Sequence, residues 1–430
     1  MGNLKKKIDV GDLEVGMCVT GLDRPWLETP MQFQGYEIHH QREIDELRRY
    51  CKFVYITVLE SVAPNKPPAP VRSLQHRPAA QGTNDTHHRI EFDLLKKAAA
   101  PQHGDQPYPD QTTLEEELGA AQAIQQEARS LVTALLGDAR MLKSLDIVAT
   151  KQVVSALAES VLRNPDALLC LMQLKNKHEY TAEHSLRVSV LALTLGRHLG
   201  LNSMDLQNLG TGALLHDIGK MKLPVELLQQ SGKLAPHDVE ILQHHVPLGV
   251  SLLRRQSGIP QAAVQAVREH HERYNGSGYP AGLKGNAIGQ LGQIVGIVDY
   301  YDTMTSDWVD HSALSGYMAI RKIYELRDEQ FHHTLVNQFI QCMGIYPIGS
   351  LVEFNTGEVG VVVSMNRHRR LRPRVALVLR ANNTPYEEVR IINLMHDRAS
   401  DGRMMEIDRA LEPGTYGIKA SDYLPQEMRV

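Results

Sequence analysis

The sequence predicts a mainly α-helical protein with a small α+β module at its start and a small β-rich appendage at its end. Apolar residues recur at helical spacing from about residue 146 to residue 343, whereas residues 8–59 and 346–394 contain short strand-like runs. A proline-rich, polar segment at 61–111 separates the first module from the helices. A chain of 430 residues has room for two or three such domains.

The bulk composition is that of an ordinary globular protein, with 42% hydrophobic and 22% charged residues. A formal net charge of −4 provides no global field that would favour long nucleic acids or acidic membranes as partners. The four cysteines form no CxxC pair, which favours a reducing compartment. The amino terminus has basic residues but no apolar run behind them, and no later stretch approaches the ~20 apolar residues of a membrane span. The sequence therefore predicts a cytoplasmic protein without a membrane partner.

The first module is predicted at residues 1–60. Apolar residues recur near period 2 from Ile8 to Val19, which predicts strands, while Gln41–Cys51 has the pattern of a short helix and Phe53–Val58 that of a strand. The segment at 61–111 that follows is predicted to be a linker.

A connecting amphipathic helix is predicted at residues 112–145. Thr113 and Glu116 have the spacing of a capping box, and an apolar stripe follows to Gly137. The stripe consists of Leu114, Leu118, Ala121, Ile124 or Gln125, Ala128, Leu131 and Leu135. We prefer the interpretation that it packs on the following domain. The alternative is a homodimer through the helix at 113–136.

Helical periodicity dominates the predicted core at 146–345, where prolines and glycines mark the joints between helices. The appendage and tail at 346–430 begin with runs typical of strands. These runs are Ser350–Phe354, Val359–Ser364 and Arg374–Leu379.

The helical core contains seven residues of metal-ligand type in or beside apolar helix faces: His184, His216, Asp217, His245, His270, His271 and Asp299. A buried imidazole or carboxylate is costly unless it is paired or bound to metal. A single buried histidine is more often a hydrogen-bonded core residue than a metal ligand. Adjacent histidines also occur at 332–333 and elsewhere in this chain, so a histidine pair alone is weak evidence of a metal site. Five histidines with two aspartates, however, supply enough donors for two transition-metal ions with a bridging carboxylate.

Three blocks around these residues resemble the signatures of the HD-GYP subgroup of HD-domain phosphohydrolases. They are HDIGK at 216–220, HHERYNGSGYP at 270–280 and DYYDTMTSD at 299–307. The resemblance covers roughly Leu168 to Gly349 and implies an HD-type helical bundle for the core. The first module is similar to an uncharacterised module often found ahead of such domains in bacterial proteins.

The resemblance implies a role for each site residue. One ion would be held by His184, His216, Asp217 and Asp299, and Asp217 would bridge to a second ion held by His245, His270 and His271. Both ions would be divalent Fe, Mn, Ni or Zn, and they would activate the attacking water. Lys220 and Asp217 would be catalytic, with Lys220 presenting its charge to a phosphate oxygen, and the substrate would be contacted by Lys220, Tyr279, Asp302 and Trp308.

This chain departs from the family pattern at three places. Tyr180 stands where some relatives carry a glutamate that holds a third metal, so two ions are predicted. Asn275 replaces a frequent aspartate in a glycine-rich loop, where asparagine suits a turn equally well. After Asp307 the chain reads Trp308-Val309-Asp310-His311 instead of the usual basic residues, so Trp308 would stack on a purine in place of a charge contact.

The predicted function is hydrolysis of cyclic di-GMP to pGpG, and onward to GMP, in bacterial second-messenger signalling. One alternative keeps the enzyme but has it prefer pGpG or another cyclic dinucleotide, because of the altered segment after Asp307. The other is a metal-containing module with little turnover. It would bind the dinucleotide, or dock signalling proteins through the loop that contains the GYP triplet at 278–280. The complete set of seven ligand-type residues favours an enzyme.

Overall fold

A computed structural model of the protein describes residues 4–15, 17–22, 36–38, 41–58, 108–173, 180–228, 230, 234–307, 313–367, 369–399 and 402–423. Most of the predicted linker and Trp308 therefore lie outside the described residues. The chain divides into two compact units, Met1–Asp105 and Gln106–Val430. Among the helices in the described ranges, none is long and apolar enough to cross a membrane.

The described residues of the first unit form a four-stranded antiparallel sheet and one helix. Its elements are β1 (Leu4–Asp9), β2 (Cys18–Leu22), β3 (Tyr36–Glu37), α1 (Gln41–Tyr50) and β4 (Phe53–Val58). The strand order is β1-β4-β2-β3. Ile44 and Leu47, one turn apart on α1, are fully buried in one cluster with Val54 of β4. The predicted α+β character is confirmed.

One local detail of this unit differs from the predicted strand pattern. The apolar alternation suggested strands continuing from Ile8 through Val10, but β1 ends at Asp9 and Val10 starts a single 3-10 turn. The Asp9 carboxylate accepts a hydrogen bond of 2.8 Å from the Gly11 amide. This local bond offers the backbone an alternative to the sheet ladder and ends the strand.

The second unit is a helical core followed by a sheet. Its helices are α2 (Leu114–Arg140), α3 (Ile147–Arg163), α4 (Pro165–Leu171), α5 (Tyr180–His198), α6 (Ser203–Leu215), α7 (Val225–Leu228), α8 (Pro236–Gln243), α9 (His245–Arg254), α10 (Gln261–Glu269), α11 (Gln290–Thr305), α12 (Gly316–Glu325) and α13 (His333–Met343). In the middle of this core, α5 packs on α6, α6 on α10, α10 on α11, and α11 back on α5. This closed arrangement of four helices carries most of the candidate site, and the mainly helical fold class is confirmed.

The connecting helix α2 begins with the predicted capping box. The Glu116 amide donates to Thr113 Oγ1 at 3.2 Å, and the Thr113 amide donates to the Glu116 carboxylate at 2.8 Å. The helix continues three residues past Gly137, to Arg140. Its buried stripe includes Gln125 and Val132, and it packs on α3, α4 and α5 of the same chain. This agrees with the preferred interpretation that the stripe packs on the following domain.

The C-terminal sheet has five antiparallel strands in the order β8-β7-β6-β5-β9. The strands are β5 (Leu351–Phe354), β6 (Val359–Ser364), β7 (Arg374–Leu379), β8 (Pro385–Asn393) and β9 (Ile407–Leu411). The sheet is attached to the helical core through Asp166 of α4, which accepts 2.9 Å hydrogen bonds from the Ser364 hydroxyl and the Met365 amide. Most side chains of β8 are exposed, which is why its sequence shows no alternation.

Candidate active site

The helical core brings all seven ligand-type side chains to one place. His184 lies on α5 and Asp299 in the middle of α11. The remaining five lie at helix ends: His216 and Asp217 after α6, His245 at the start of α9, and His270 and His271 after α10. His216 and His270 have no exposed surface, and His245 and Asp217 are at most 3% exposed. Burial on this scale requires polar partners or a bound ion.

Three of the imidazoles are oriented by their own helices. The Nδ1 atoms of His216, His245 and His270 each lie 2.7 Å from the backbone carbonyl three residues earlier, an oxygen that can only accept. Nδ1 therefore carries the proton, and the Nε2 lone pair is directed towards the other members of the cluster. Metal-binding histidines usually show this arrangement, with one ring nitrogen bonded to a carbonyl and the other free for the ion.

Asp217 lies between two groups of histidines. Its Oδ2 is 3.3 Å from Nε2 of His216 and 3.6 Å from Nε2 of His184, whereas its Oδ1 is 3.3 Å from Nε2 of His245. Two clusters of closely spaced donor atoms result, and both contain Asp217. The first consists of Asp217, His245, His270 and His271, and the second of His184, His216 and Asp217. Asp217 is therefore the carboxylate that the two clusters share.

Asp299 extends the second cluster. Its Oδ1 lies 3.2 Å from Nε2 of His184 and 3.8 Å from Nε2 of His216. The other oxygen, Oδ2, lies 4.0 Å from Nδ1 of His271. Asp299 thus faces histidines of both groups from α11.

Unsatisfied polar atoms show what the cluster can bind. Among the described residues, no hydrogen-bond partner is found for the buried Nε2 atoms of His216, His245 and His270 or for Oδ1 of Asp217. Leaving four such atoms unpaired in one place is costly, whereas divalent metal ions would satisfy all of them. A mixed imidazole and carboxylate donor set suits Mn, Fe, Ni or Zn. The residues present therefore fit a metal centre.

The protonation states of His270, His271 and Asp217 also suit metal binding. For His184 the hydrogen bonds to Asp299 and Asp302 outweigh burial and raise the pKa to about 9. Burial lowers the pKa values of His270 and His271 well below the ordinary value, so these rings stay neutral at pH 7. Burial alone would raise the pKa of Asp217, but the neighbouring charge of Lys220 opposes it, and that pKa lies well below its usual range. Neutral imidazoles and ionised carboxylates are the forms that bind metal.

Lys220 lies at the side of the cluster in the 3-10 turn Ile218–Lys222. Its Nζ donates to Asp217 Oδ2 at 2.5 Å, and its side chain is 26% exposed. The turn packs tightly on the start of α9, where a Cβ at position 219 would come within 1.9 Å of the His245 carbonyl oxygen. Only glycine permits this approach, so Gly219 brings the HDIGK turn and His245 together.

Tyr279 covers His271 from the loop at 274–283, which we call the GYP loop. The two rings stack with centroids 4.6 Å apart and planes inclined by 27°. The carboxylate of buried Glu272 holds the loop by accepting hydrogen bonds from the amides of Ala281 (2.7 Å) and Leu283 (2.8 Å). Sequence reasoning missed Glu272, although an acidic residue directly after two ligand-type histidines was a usable signal.

Asp302 has a different position from the one expected of a substrate contact. It is 3% exposed, and its Oδ2 lies 2.7 Å from Nδ1 of His184, on the side of the ring away from the cluster. Arg187 donates to both of its oxygens, at 2.7 and 3.0 Å. Both oxygens are therefore engaged, and Asp302 orients His184. Arg187 was not singled out from the sequence, because an arginine on a helix carries no motif of its own.

Two of the three departures from the family pattern fall on Trp308 and on the side chain of Tyr180, which lie outside the described residues. Asn275 is described: its Oδ1 accepts a 2.9 Å hydrogen bond from the Ser277 amide, which is the turn role predicted for it.

Comparisons with known proteins agree with this architecture. A model of the HD domain matches residues 169–335. A model of a domain of unknown function matches residues 5–150, and one of the KOW domain associated with HD domains matches residues 351–416. The first of these three matches contains all seven ligand-type residues.

Several phosphodiesterases are also similar to this chain in sequence. A cyclic di-GMP phosphodiesterase of Pseudomonas aeruginosa is 31% identical over 381 residues, which cover 88% of this chain and 86% of that protein. A cyclic di-GMP phosphodiesterase of Thermotoga maritima is 33% identical over 162 residues, 37% of this chain and 44% of that protein. A 3′3′-cGAMP-specific phosphodiesterase of Vibrio cholerae is 34% identical over 125 residues, 29% of this chain and 24% of that protein.

The helical core and its clustered histidines and aspartates are those of an HD domain. The chain belongs to the HD-GYP family of HD-domain phosphohydrolases, as its similarity over most of its length to the Pseudomonas aeruginosa protein shows.

Proposed function

We propose that this protein is a metal-dependent phosphodiesterase that hydrolyses cyclic di-GMP to pGpG, and pGpG onward to GMP. The observation that carries the proposal is the presence of two adjoining donor clusters that share Asp217. The names of the Pseudomonas aeruginosa and Thermotoga maritima relatives support cyclic di-GMP as the substrate.

The chain's own residues supply the framework for two ions. His184, His216 and Asp299 would hold one ion, while His245, His270 and His271 would hold the other, with Asp217 between them. Two divalent ions at such a site polarise a phosphoryl group and supply a nucleophile from water. Because four of the imidazoles are fixed through their Nδ1 atoms, little reorganisation of them is needed when the ions bind.

Lys220 and Tyr279 would act on the substrate. Asp217 holds the Lys220 ammonium group at the edge of the cluster, and turning this flexible side chain brings its charge to a non-bridging phosphate oxygen. Burial raises the pKa of the Tyr279 hydroxyl, so it stays protonated and can donate a hydrogen bond to substrate. Lys220 would thereby offset the negative charge on the phosphoryl oxygens, while Tyr279 fixes the substrate's position.

The test combines metal analysis with product chromatography on the full-length protein, with Mn²⁺ and with Fe²⁺. We expect pGpG and then GMP from cyclic di-GMP, and about two ions per chain. His216→Ala combined with Asp217→Ala should abolish hydrolysis and sharply lower bound metal. His244→Ala is the matched control, because the exposed His244 adjoins His245 and its Nδ1 lies against its own helix. Parent-rate hydrolysis by the double variant would refute the site assignment.

A second candidate is an enzyme that prefers another cyclic dinucleotide. The specific observation in its favour is the similarity to a 3′3′-cGAMP-specific phosphodiesterase. Comparison of kcat/KM for cyclic di-GMP, 3′3′-cGAMP and pGpG in one assay decides between them. No product from any of the three, with metal bound, would favour the binding-module alternative.

We also propose that the enzyme works in the cytoplasm, as the cysteine pattern favours. A homodimer through the helix at 113–136 and signalling partners at the GYP loop stay predictions.

A further inference from the structure

A small basic cavity lies at the junction of the helical core and the C-terminal sheet. Its lining includes Arg197 near the end of α5, Arg367 and Arg370 after β6, and the polar residues Tyr108 and Asn366. Its volume is about 20 Å³, enough for one water molecule or one small ion. The seven ligand-type residues of the candidate active site take no part in this lining.

Positive charge exceeds negative charge around the cavity. Arg197 donates to Asp110 at 2.7 Å, and Arg367 forms an ion pair with Asp166 while its Nε lies 3.5 Å from Asp110. Arg370 forms no ion pair with any residue that the structure describes. Three guanidinium groups therefore share two carboxylates, which leaves one positive charge uncompensated.

Each of these guanidinium groups has an N–H donor with no acceptor. Within the described part of the chain, Nη1 of Arg370, Nε of Arg197 and Nε of Arg367 are buried without a hydrogen-bond partner. Arg197 is only 5% exposed. Burial, together with the nearby charge of Arg367, lowers the pKa of Arg370 to about 10. Unpaired buried donors on a cation are costly, and an acceptor in the cavity would remove that cost.

We propose that this cavity binds a small monovalent anion of the size of chloride, held by Arg197 and Arg370. An anion offsets the excess charge, whereas a neutral water molecule does not. The volume excludes inorganic phosphate and larger carboxylates. Because Arg197 belongs to the helical core and Arg370 to the segment that leads into the sheet, the bound anion stabilises the junction between them.

Thermal unfolding of the metal-loaded, full-length protein tests this proposal. At constant ionic strength, replacing gluconate by chloride or bromide should raise the melting temperature by a few degrees and then saturate, because the anion binds only the folded state. Arg370→Gln should abolish this difference and leave hydrolysis of cyclic di-GMP unchanged. The matched control is Arg369→Gln, which removes the same charge from an exposed neighbour and should keep the chloride effect.

A bromide derivative of the unaltered protein gives an independent readout if Arg370→Gln fails to fold. Crystals grown in bromide should show an anomalous difference peak in contact with Arg197 and Arg370. Equal melting temperatures in chloride and gluconate, or a bromide derivative with no peak in the cavity, would overturn the proposal. Neither result depends on the enzyme's substrate, so the anion site and the proposed activity can fail separately.

Discussion

Replacing Asp302 by asparagine tests how the centre is held together. The substitution keeps the size of the side chain but removes its charge and one acceptor. Two N–H groups of Arg187 and the Nδ1 proton of His184 would then compete for a single oxygen, where three contacts of 2.7–3.0 Å now exist. Buried Arg187 would also lose its ion pair with Asp302.

Two separate effects are expected. Breaking a buried ion pair by removing one partner costs about 3–5 kcal/mol, a large share of the ~5–15 kcal/mol that stabilises a typical domain. Loss of the carboxylate behind a metal-bound histidine typically lowers metal affinity or activity about 10–100-fold. Urea denaturation with a chelator present measures the first effect, and titration of the folded protein with Mn²⁺ measures the second.

Two further variants separate these effects. Asp302→Leu combined with Arg187→Met removes both charges and should recover much of the stability, yet metal affinity should stay low because His184 still lacks its carboxylate. Asp307→Asn is the control, since Asp307 is exposed and lies five residues further along the chain. If Asp302→Asn binds Mn²⁺ as tightly as the parent protein, the Asp302 carboxylate does not orient His184 for metal binding.

Three other predictions concern residues around the centre and the fold. Glu272→Gln should weaken the hydrogen bonds that hold the GYP loop, so that Tyr279 loses its fixed position. We expect kcat/KM to fall about 10-fold through a higher KM, with the amount of bound metal unchanged. Unaltered kinetics would contradict this prediction. Burial lowers the pKa of His198 to about 3, so the unfolded chain takes up a proton near pH 6.5 that the folded protein does not. Stability should therefore fall as the pH drops from about 6.5 towards 3, and His198→Gln should make the fall in the free energy of unfolding shallower. Tyr180→Glu should raise the bound metal per chain above the parent value by elemental analysis, and equal metal content would count against the third-site argument.

Much of the secondary structure could be predicted from the sequence because the signals of helices and strands are local. The pattern correctly placed the capping box at Thr113, the strands at 359–364 and 374–379, and the helix that begins at Gln41. Strand β8 was missed because both of its faces are largely exposed, so the usual alternation of apolar and polar residues is absent. In α2, Gln125 is buried although the sequence left Ile124 as an equal candidate, since helix rotation depends on the packing partners.

The sequence by itself determined which residues are chemically able to form the centre and where each lies in its helix. It also determined the family, because the blocks at 216–220, 270–280 and 299–307 are contiguous in the chain. The position of Asp217 between two histidine groups was expected from the resemblance, and the structure supplied its distances. Only the tertiary structure decided that Asp302 and Arg187 lie behind His184. The physical reason is that local patterns specify which face of a helix is buried, whereas the residue met by that face depends on how four helices pack together.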